Sequence, residues 1–215
     1  MLAMTGRDLV VSLFDESAIM LAPWRDAGYE CWAVDAAHPP GTTVTDDFHL
    51  VGHDLTVPWM PPFDRDRIAF VSAFPPCDHL AVSGARWFQG KGLRLLASSI
   101  VLFATAAEFC DWAGAPYLLE NPVSTISTYW RKPDHTFHPY DYAGLCMDDN
   151  YYKKTCLWTG HGFVMPPPDP MGGEPDQRIW KMPPSDDRAA LRSKTPLGFA
   201  RAVFAANRPV HQEAR

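Results

Sequence analysis

With 215 residues, 47% of them hydrophobic, the chain is long enough for one domain with a real core, and it carries a formal net charge of −6. That charge excludes bulk attraction to nucleic acid, so any such contact has to use a local basic patch. No apolar run reads as long enough to span a bilayer, Arg7 and Asp8 precede only a short apolar stretch rather than a signal-peptide core, and five scattered cysteines argue for free thiols over a disulfide framework. The expectation is a single cytoplasmic domain, residues 1–215, with no membrane partner.

Asp8 to Phe14 (DLVVSLF) reads as a first buried strand, followed by Asp15-Glu16-Ser17 and a helix from about Ala18 to Ala27 that stops at Gly28. Tyr29 to Val34 is a second strand ending at Asp35. Strand, turn, helix, strand and then a carboxylate is the pattern of a nucleotide-type βαβ unit, in which the acid accepts hydrogen bonds from ribose hydroxyls. The same residues also fit an ordinary α/β start with a solvated Asp35. From Ala36 to Phe63 the abundance of Pro, Thr, Asp and His predicts loop structure around one short strand, Phe48 to Val51. Asp54 then either contacts an adenine or caps the next segment.

Ile68 to Val71 form a strand that must stop at Pro75-Pro76, since proline cannot donate to a ladder, and this delivers Cys77 just past the C-terminal edge of the sheet. The mixed segment after it, with Ser83, Arg86, Trp87 and Phe88, suits a lid carrying a guanidinium and stacking surfaces. Leu95, Leu96, Ile100, Phe103, Ala104, Ala107 and Phe109 describe a helix within Lys91 to Gly114, and Tyr117 to Pro122 forms the next strand, with Glu120 and Asn121 at its tip. Strand, crossover helix and strand make a right-handed βαβ unit, which places Cys77 and Glu120 on one edge of one sheet.

Ser124 to Lys132 offers hydroxyls, aromatics and the cations Arg131 and Lys132 for phosphate contact. His135 and His138, with Cys146 and Cys156, fit no standard zinc spacing, so no metal is assigned. Tyr151 to Thr159 reads as a strand with Lys153 and Lys154 at its start, Met165 to Pro184 as an irregular loop, and Leu197 to Asn207 as an amphipathic helix with Thr195 as N-cap and Pro196 at N1.

Taken together these residues resemble the cytosine C5 DNA methyltransferase family, in particular its short, phage-type members. The matching positions, in order, are Leu13-Phe14 with the following turn, Asp35, Asp54, Pro75-Pro76-Cys77, Glu120-Asn121-Pro122, and Arg192 to Pro196 with Phe199-Ala200. The resemblance implies an α/β class I methyltransferase (Rossmann-like) fold, a mostly parallel sheet with helices on both faces. It implies S-adenosyl-L-methionine as cofactor, held by Phe14, Asp15, Ser17, Asp35, Asp54 and Pro75. Cys77, Glu120 and Asn121 would be the catalytic set, with Pro76, Ser83, Arg86, Pro122, Arg131, Lys153 and Lys154 on the substrate side. Cys77 would add to C6 of cytosine, more readily if a nearby positive charge lowers its pKa, and Glu120 with a raised pKa would act at N3 of a base flipped from the stack.

Two departures from the family pattern matter. Phe14-Asp15-Glu16-Ser17-Ala18 replaces a glycine-rich cofactor turn, which opens methylenetetrahydrofolate as an alternative carbon donor. There is also no room after Glu120 for a large target-recognition region. The expectation is therefore little sequence preference, on DNA or a cytosine nucleotide, with target recognition left to any partner subunit. A non-catalytic binding relative is the remaining alternative.

Overall fold

The computed structural model describes residues 6–182 and 192–209. Seven strands form one sheet: β1 (Leu9–Leu13), β2 (Glu30–Thr45), β3 (Phe48–Gly52), β4 (Ile68–Ala73), β5 (Tyr117–Pro122), β6 (His135–Phe137) and β7 (Thr155–Gly160). Their order is β3-β2-β1-β4-β5-β7-β6. β1, β2, β4 and β5 run parallel, while β7 is antiparallel to both its neighbours. Every residue of β1 and β4 is buried, as strands covered on both faces require.

Successive side chains of these strands serve two cores. Leu9, Val11 and Leu13 pack with Phe103, Ala106 and Cys110 of α3 (Leu93–Ala113). Val10 and Phe70 pack with Trp24 of α1 (Ala22–Asp26) and with Phe199 and Val203 of the C-terminal helix (Leu197–Asn207). Helices thus lie on both faces. The remaining described α-helices are short: α2 (Phe88–Lys91), α4 (Ile126–Tyr129) and α5 (Arg178–Lys181), so the C-terminal helix is α6.

α3 ends where Gly114 takes a left-handed conformation (φ 58°), as its position after the apolar pattern predicts. By length and composition this 21-residue helix is apolar enough to cross a bilayer, contrary to the reading of the sequence, where Ser98, Ser99 and Thr105 disguise the run. Its buried stripe packs on the sheet.

Other expectations need correction. The helix expected from Ala18 begins as a 3-10 turn, Ile19–Leu21, and becomes α-helical only at Ala22, with Pro23 in its first turn. Of the loop expected from Ala36 to Phe63, the first part, to Thr45, is strand. β2 runs on to Thr45 and folds back on β3 through Asp46-Asp47, both left-handed (φ 49° and 63°), as a two-residue hairpin turn demands. Pairing follows suit: Cys31↔Phe48 to Asp35↔Gly52 ascend together, whereas Thr42↔Val51 to Thr45↔Phe48 run in opposite senses.

Where the two limbs of β2 cross the end of β3, a Cβ on Gly52 would lie 2.1 Å from the Pro39 carbonyl oxygen. Gly52→Ala is therefore expected to destabilise the protein by roughly 2 kcal/mol or more, read as a lower midpoint in urea unfolding.

At the C-terminal helix Pro196, not Thr195, is the N-cap residue. The free amide of Gly198 is satisfied instead by the buried Asp149 carboxylate at 2.7 Å. Of the irregular loop expected from Met165 to Pro184, Met165 to Asp176 is irregular, but Arg178–Lys181 forms the short helix α5, and residues 183 and 184 lie outside the described residues.

Candidate active site

β4 and β5 are neighbours in the sheet, and their last paired residues are Ala73 and Leu119. Chain continuity therefore carries Cys77 and Glu120 off the same edge. Two devices fix the tips. Asn121, 1% exposed, donates from Nδ2 to the Pro75 carbonyl at 2.9 Å. The Cys77 carbonyl accepts the amides of Leu80 (2.9 Å) and Ala81 (2.8 Å), closing a tight turn beneath the sulfur. The segment after that turn is strapped to the segment after β5, by Val82 N–H to the Val123 carbonyl and Thr125 N–H to the Leu80 carbonyl, both at 2.9 Å.

This strap collects unsatisfied polar atoms. His79 Nδ1, Asn121 Oδ1, Ser124 Oγ and Thr125 Oγ1 are buried without a protein partner, four of the six such side-chain atoms among the described residues. Because a buried polar group left unpaired costs about 1–3 kcal/mol, such a concentration marks a place built to receive hydrogen bonds from something else.

The electrostatics are those of a coupled pair. Burial, and then the Glu120 and Asp78 charges, push the Cys77 thiol up to about 11, with Lys153 pulling the other way. Burial also raises Glu120, again against Lys153. The Lys153 ammonium lies within electrostatic reach of both groups. The expectation that a neighbouring cation depresses the thiol is thus corrected: Lys153 is there, but desolvation and the carboxylates outweigh it. Tyr151, which no motif flagged, also feels Glu120 and is 7% exposed.

On the other side of the same edge, the turn after β1 takes the shape that glycines normally allow without containing one: Phe14 (φ 56°) and Ala18 (φ 52°) are both left-handed. Asp15 is not available to a ligand, which corrects its assignment to the cofactor. It is 3% exposed and accepts hydrogen bonds from Ser12 Oγ (2.7 Å), Ser17 Oγ (3.0 Å) and the Ala18 amide (2.8 Å). Ser17 is exposed with its hydroxyl donating to Asp15, and His38 Nε2 lies 3.2 Å from the Asp15 carbonyl.

Burial raises Asp15, and hydrogen bonds oppose it. Asp15→Ala strands the Ser12 hydroxyl and the Ala18 amide, and is expected to cost about 2–4 kcal/mol in equilibrium unfolding. Asp35 stands at the tip of the parallel limb of β2, half-buried, with one oxygen accepting the Ala37 amide (2.8 Å). Asp54 is exposed and holds its own turn through the Thr56 amide (2.9 Å), which also depresses its pKa; this is the capping role.

The remaining candidates are scattered. Pro75 is buried with its carbonyl spent on Asn121, whereas Pro76 is exposed. Pro122 pairs with Thr155 inside the sheet. Ser83 and Arg86 lie exposed on the segment after Cys77, and Lys154 is exposed, facing His138 and Cys156 electrostatically. Arg131 is drawn away: it pairs with Asp134 (2.5 Å) and donates to the Thr159 carbonyl (3.1 Å), near the start of β5 rather than its tip. Its proximity in sequence to Glu120 gave the wrong impression because α4 reverses the chain between them.

The sheet order, with an antiparallel β7 inserted between β5 and β6, defines a class I methyltransferase fold. No family model and no curated protein matches the chain. Among solved structures it is similar to the glycopeptide N-methyltransferase MtfA, with 16% identity and a TM-score of 0.29, over 70% of this chain and 64% of that one. It is also similar to the same enzyme complexed with S-adenosyl-L-homocysteine, with 19% identity and a TM-score of 0.25, over 60% of this chain and 51% of that one. The matched part is under two thirds of either neighbour's length.

Proposed function

We propose that the protein is a transferase that places a methyl group, or another one-carbon unit, on C5 of cytosine in DNA with little sequence preference. The observation that carries this reading is the meeting of Cys77 and Glu120 on adjacent strand tips, electrostatically coupled to each other and to Lys153. Cytosine C5 becomes nucleophilic only when C6 is saturated. The nucleophile needs the sulfur ionised and N3 needs a proton donor, so Glu120 carrying a proton beside a Cys77 thiolate would supply both together. The thiolate forms a bond to C6, and the Glu120 proton goes to, or is shared with, N3, which takes up the ring's electron pair. C5 then attacks the donor carbon. Once C5 carries the new carbon, N3 gives its proton back to Glu120, a base removes the C5 proton, and the electrons of that C–H bond expel the sulfur as thiolate. In duplex DNA the base has to leave the stack first.

The left-handed turn at Phe14 and the free oxygen of Asp35 fit a ribose-bearing cofactor. S-adenosyl-L-methionine, when bound, supplies the electrophilic carbon. Asp35 would accept from its ribose and Phe14 would line the adenosine side, while Asp15 and Ser17 only shape the turn. Incubating DNA with the protein and either S-adenosyl-L-methionine or methylenetetrahydrofolate, then weighing the nucleosides by mass spectrometry, tests the reading. A gain of one methyl on deoxycytidine with the first donor supports it, a product only with the second reassigns the donor, and no product with either sinks it.

A further inference from the structure

The surface beside the nucleophile loop differs from the rest of this acidic molecule. Between His79 and Ser98 the sequence holds three cations, Arg86, Lys91 and Arg94, and no acidic residue. Among the described residues no carboxylate pairs with any of the three. Trp87, at the end of the Val82–Trp87 turn, is 60% exposed, and the Arg86 guanidinium lies 5.0 Å from its ring centroid. Next to it a groove of about 370 Å³ opens among His79, Phe88, Gln89, Lys91, Leu93 and Leu96. Its polar lining is Gln89, Lys91 and His79, whose Nδ1 is buried and unpaired. Lys91 Nζ donates to the Asp78 carbonyl at 2.5 Å, which ties this surface to the residue next to Cys77.

We propose that Arg86, Trp87, Lys91 and Arg94 form a platform for the nucleotides flanking the target cytosine in single-stranded DNA. One base stacks on the Trp87 indole and the backbone phosphates face the three cations. The choice of nucleic acid rests on charge: in a chain of net charge −6, three cations without a carboxylate partner and without an acidic residue among them follow directly on the Cys77 loop, where they suit a polyanion. The choice of a single strand rests on stacking, since an exposed indole needs a free base face, which a duplex hides and an unpaired strand presents. A cytosine in such a strand also reaches the sulfur without the cost of extrusion from a helix. The proposal depends on the reading of Cys77 as nucleophile only for which base is seated there.

Fluorescence anisotropy with a labelled cytosine-containing oligodeoxynucleotide, single-stranded and as a duplex, decides it. The native protein is expected to bind the single strand at least roughly tenfold more tightly than the duplex. Trp87→Ala weakens single-strand binding by roughly tenfold while Trp87→Phe stays within about twofold, and Arg86→Ala and Arg94→Ala each flatten the salt dependence. Equal affinity for the duplex, an unaltered Trp87→Ala variant, or adsorption to anionic phospholipid vesicles in place of DNA would overturn the platform. If this binding pattern holds but neither carbon donor gives a product, the one-carbon reading fails and the platform stands; product on duplex DNA that ignores Trp87→Ala gives the converse.

Discussion

Cys77→Ala is expected to lower formation of modified deoxycytidine by at least ~10⁴-fold, because it removes the thiol that would saturate C6 and open the covalent route. Cys77→Ser should do little better, since an alcohol is far less acidic than a thiol and is far more rarely ionised beside Glu120. Neither change should unfold the protein: Cys77 is only partly buried, and the turn beneath it is held by backbone bonds to Leu80 and Ala81. DNA carrying 5-fluorocytosine provides a second readout. With no proton to remove from C5 after transfer, the sulfur cannot be expelled, and a covalent protein–DNA band should accumulate with the native protein and be absent from Cys77→Ala. Product from Cys77→Ala at the native rate would end the proposal.

Glu120→Gln carries the second large effect, about 10²- to 10⁴-fold on kcat/KM, by removing the proton that N3 requires. Its pH signature is more telling than its size. Burial raises both groups, the thiol to about 11, and the reactive form needs the sulfur ionised while Glu120 keeps its proton. Below the Glu120 pKa this form gains tenfold per pH unit as sulfur ionises. Once Glu120 loses its proton that gain is cancelled, so the native kcat/KM levels off, while the sulfur goes on ionising up to about 11.

Glutamine abolishes the cancelling loss, and the residual activity should climb with pH across the range where the native curve is level. It also deletes a negative neighbour that holds the thiol up. Peptide-resolved alkylation of Cys77 at about pH 9 should then become faster as catalysis becomes slower. A parallel fall of both would show that Glu120 merely supports the fold.

Much of this site was readable because proline and glycine punctuate it. Pro75-Pro76 stop β4, Gly114 stops α3, and the intervening apolar period allows one connection, so the adjacency of Cys77 and Glu120 follows from the chain itself. What could not be read depended on direction or on distant pairing. Asp15 looks like a ligand in the sequence, and only the folded turn shows that its oxygens point inward to Ser12 and Ala18. Lys153 gains its influence because β7 inserts next to β5, an antiparallel placement with no local signature. The second limb of β2 was hidden by Pro39, Pro40 and Asp46-Asp47, residues that speak for a loop although aspartate tolerates the left-handed turn conformation.

That hairpin limb has a bearing on how the molecule meets others of its kind. A sheet whose outer strand is long, flat and greasy recruits further strands and seeds aggregates. Here one border is finished by residues 40–45, a proline, a glycine, three threonines and one valine, and the opposite border by the three residues of β6. Neither border offers the extended backbone ladder that strand-by-strand assembly needs. Any subunit that gives this chain a preferred target has to recognise side chains, and copies crowded together in a cell have little to template upon.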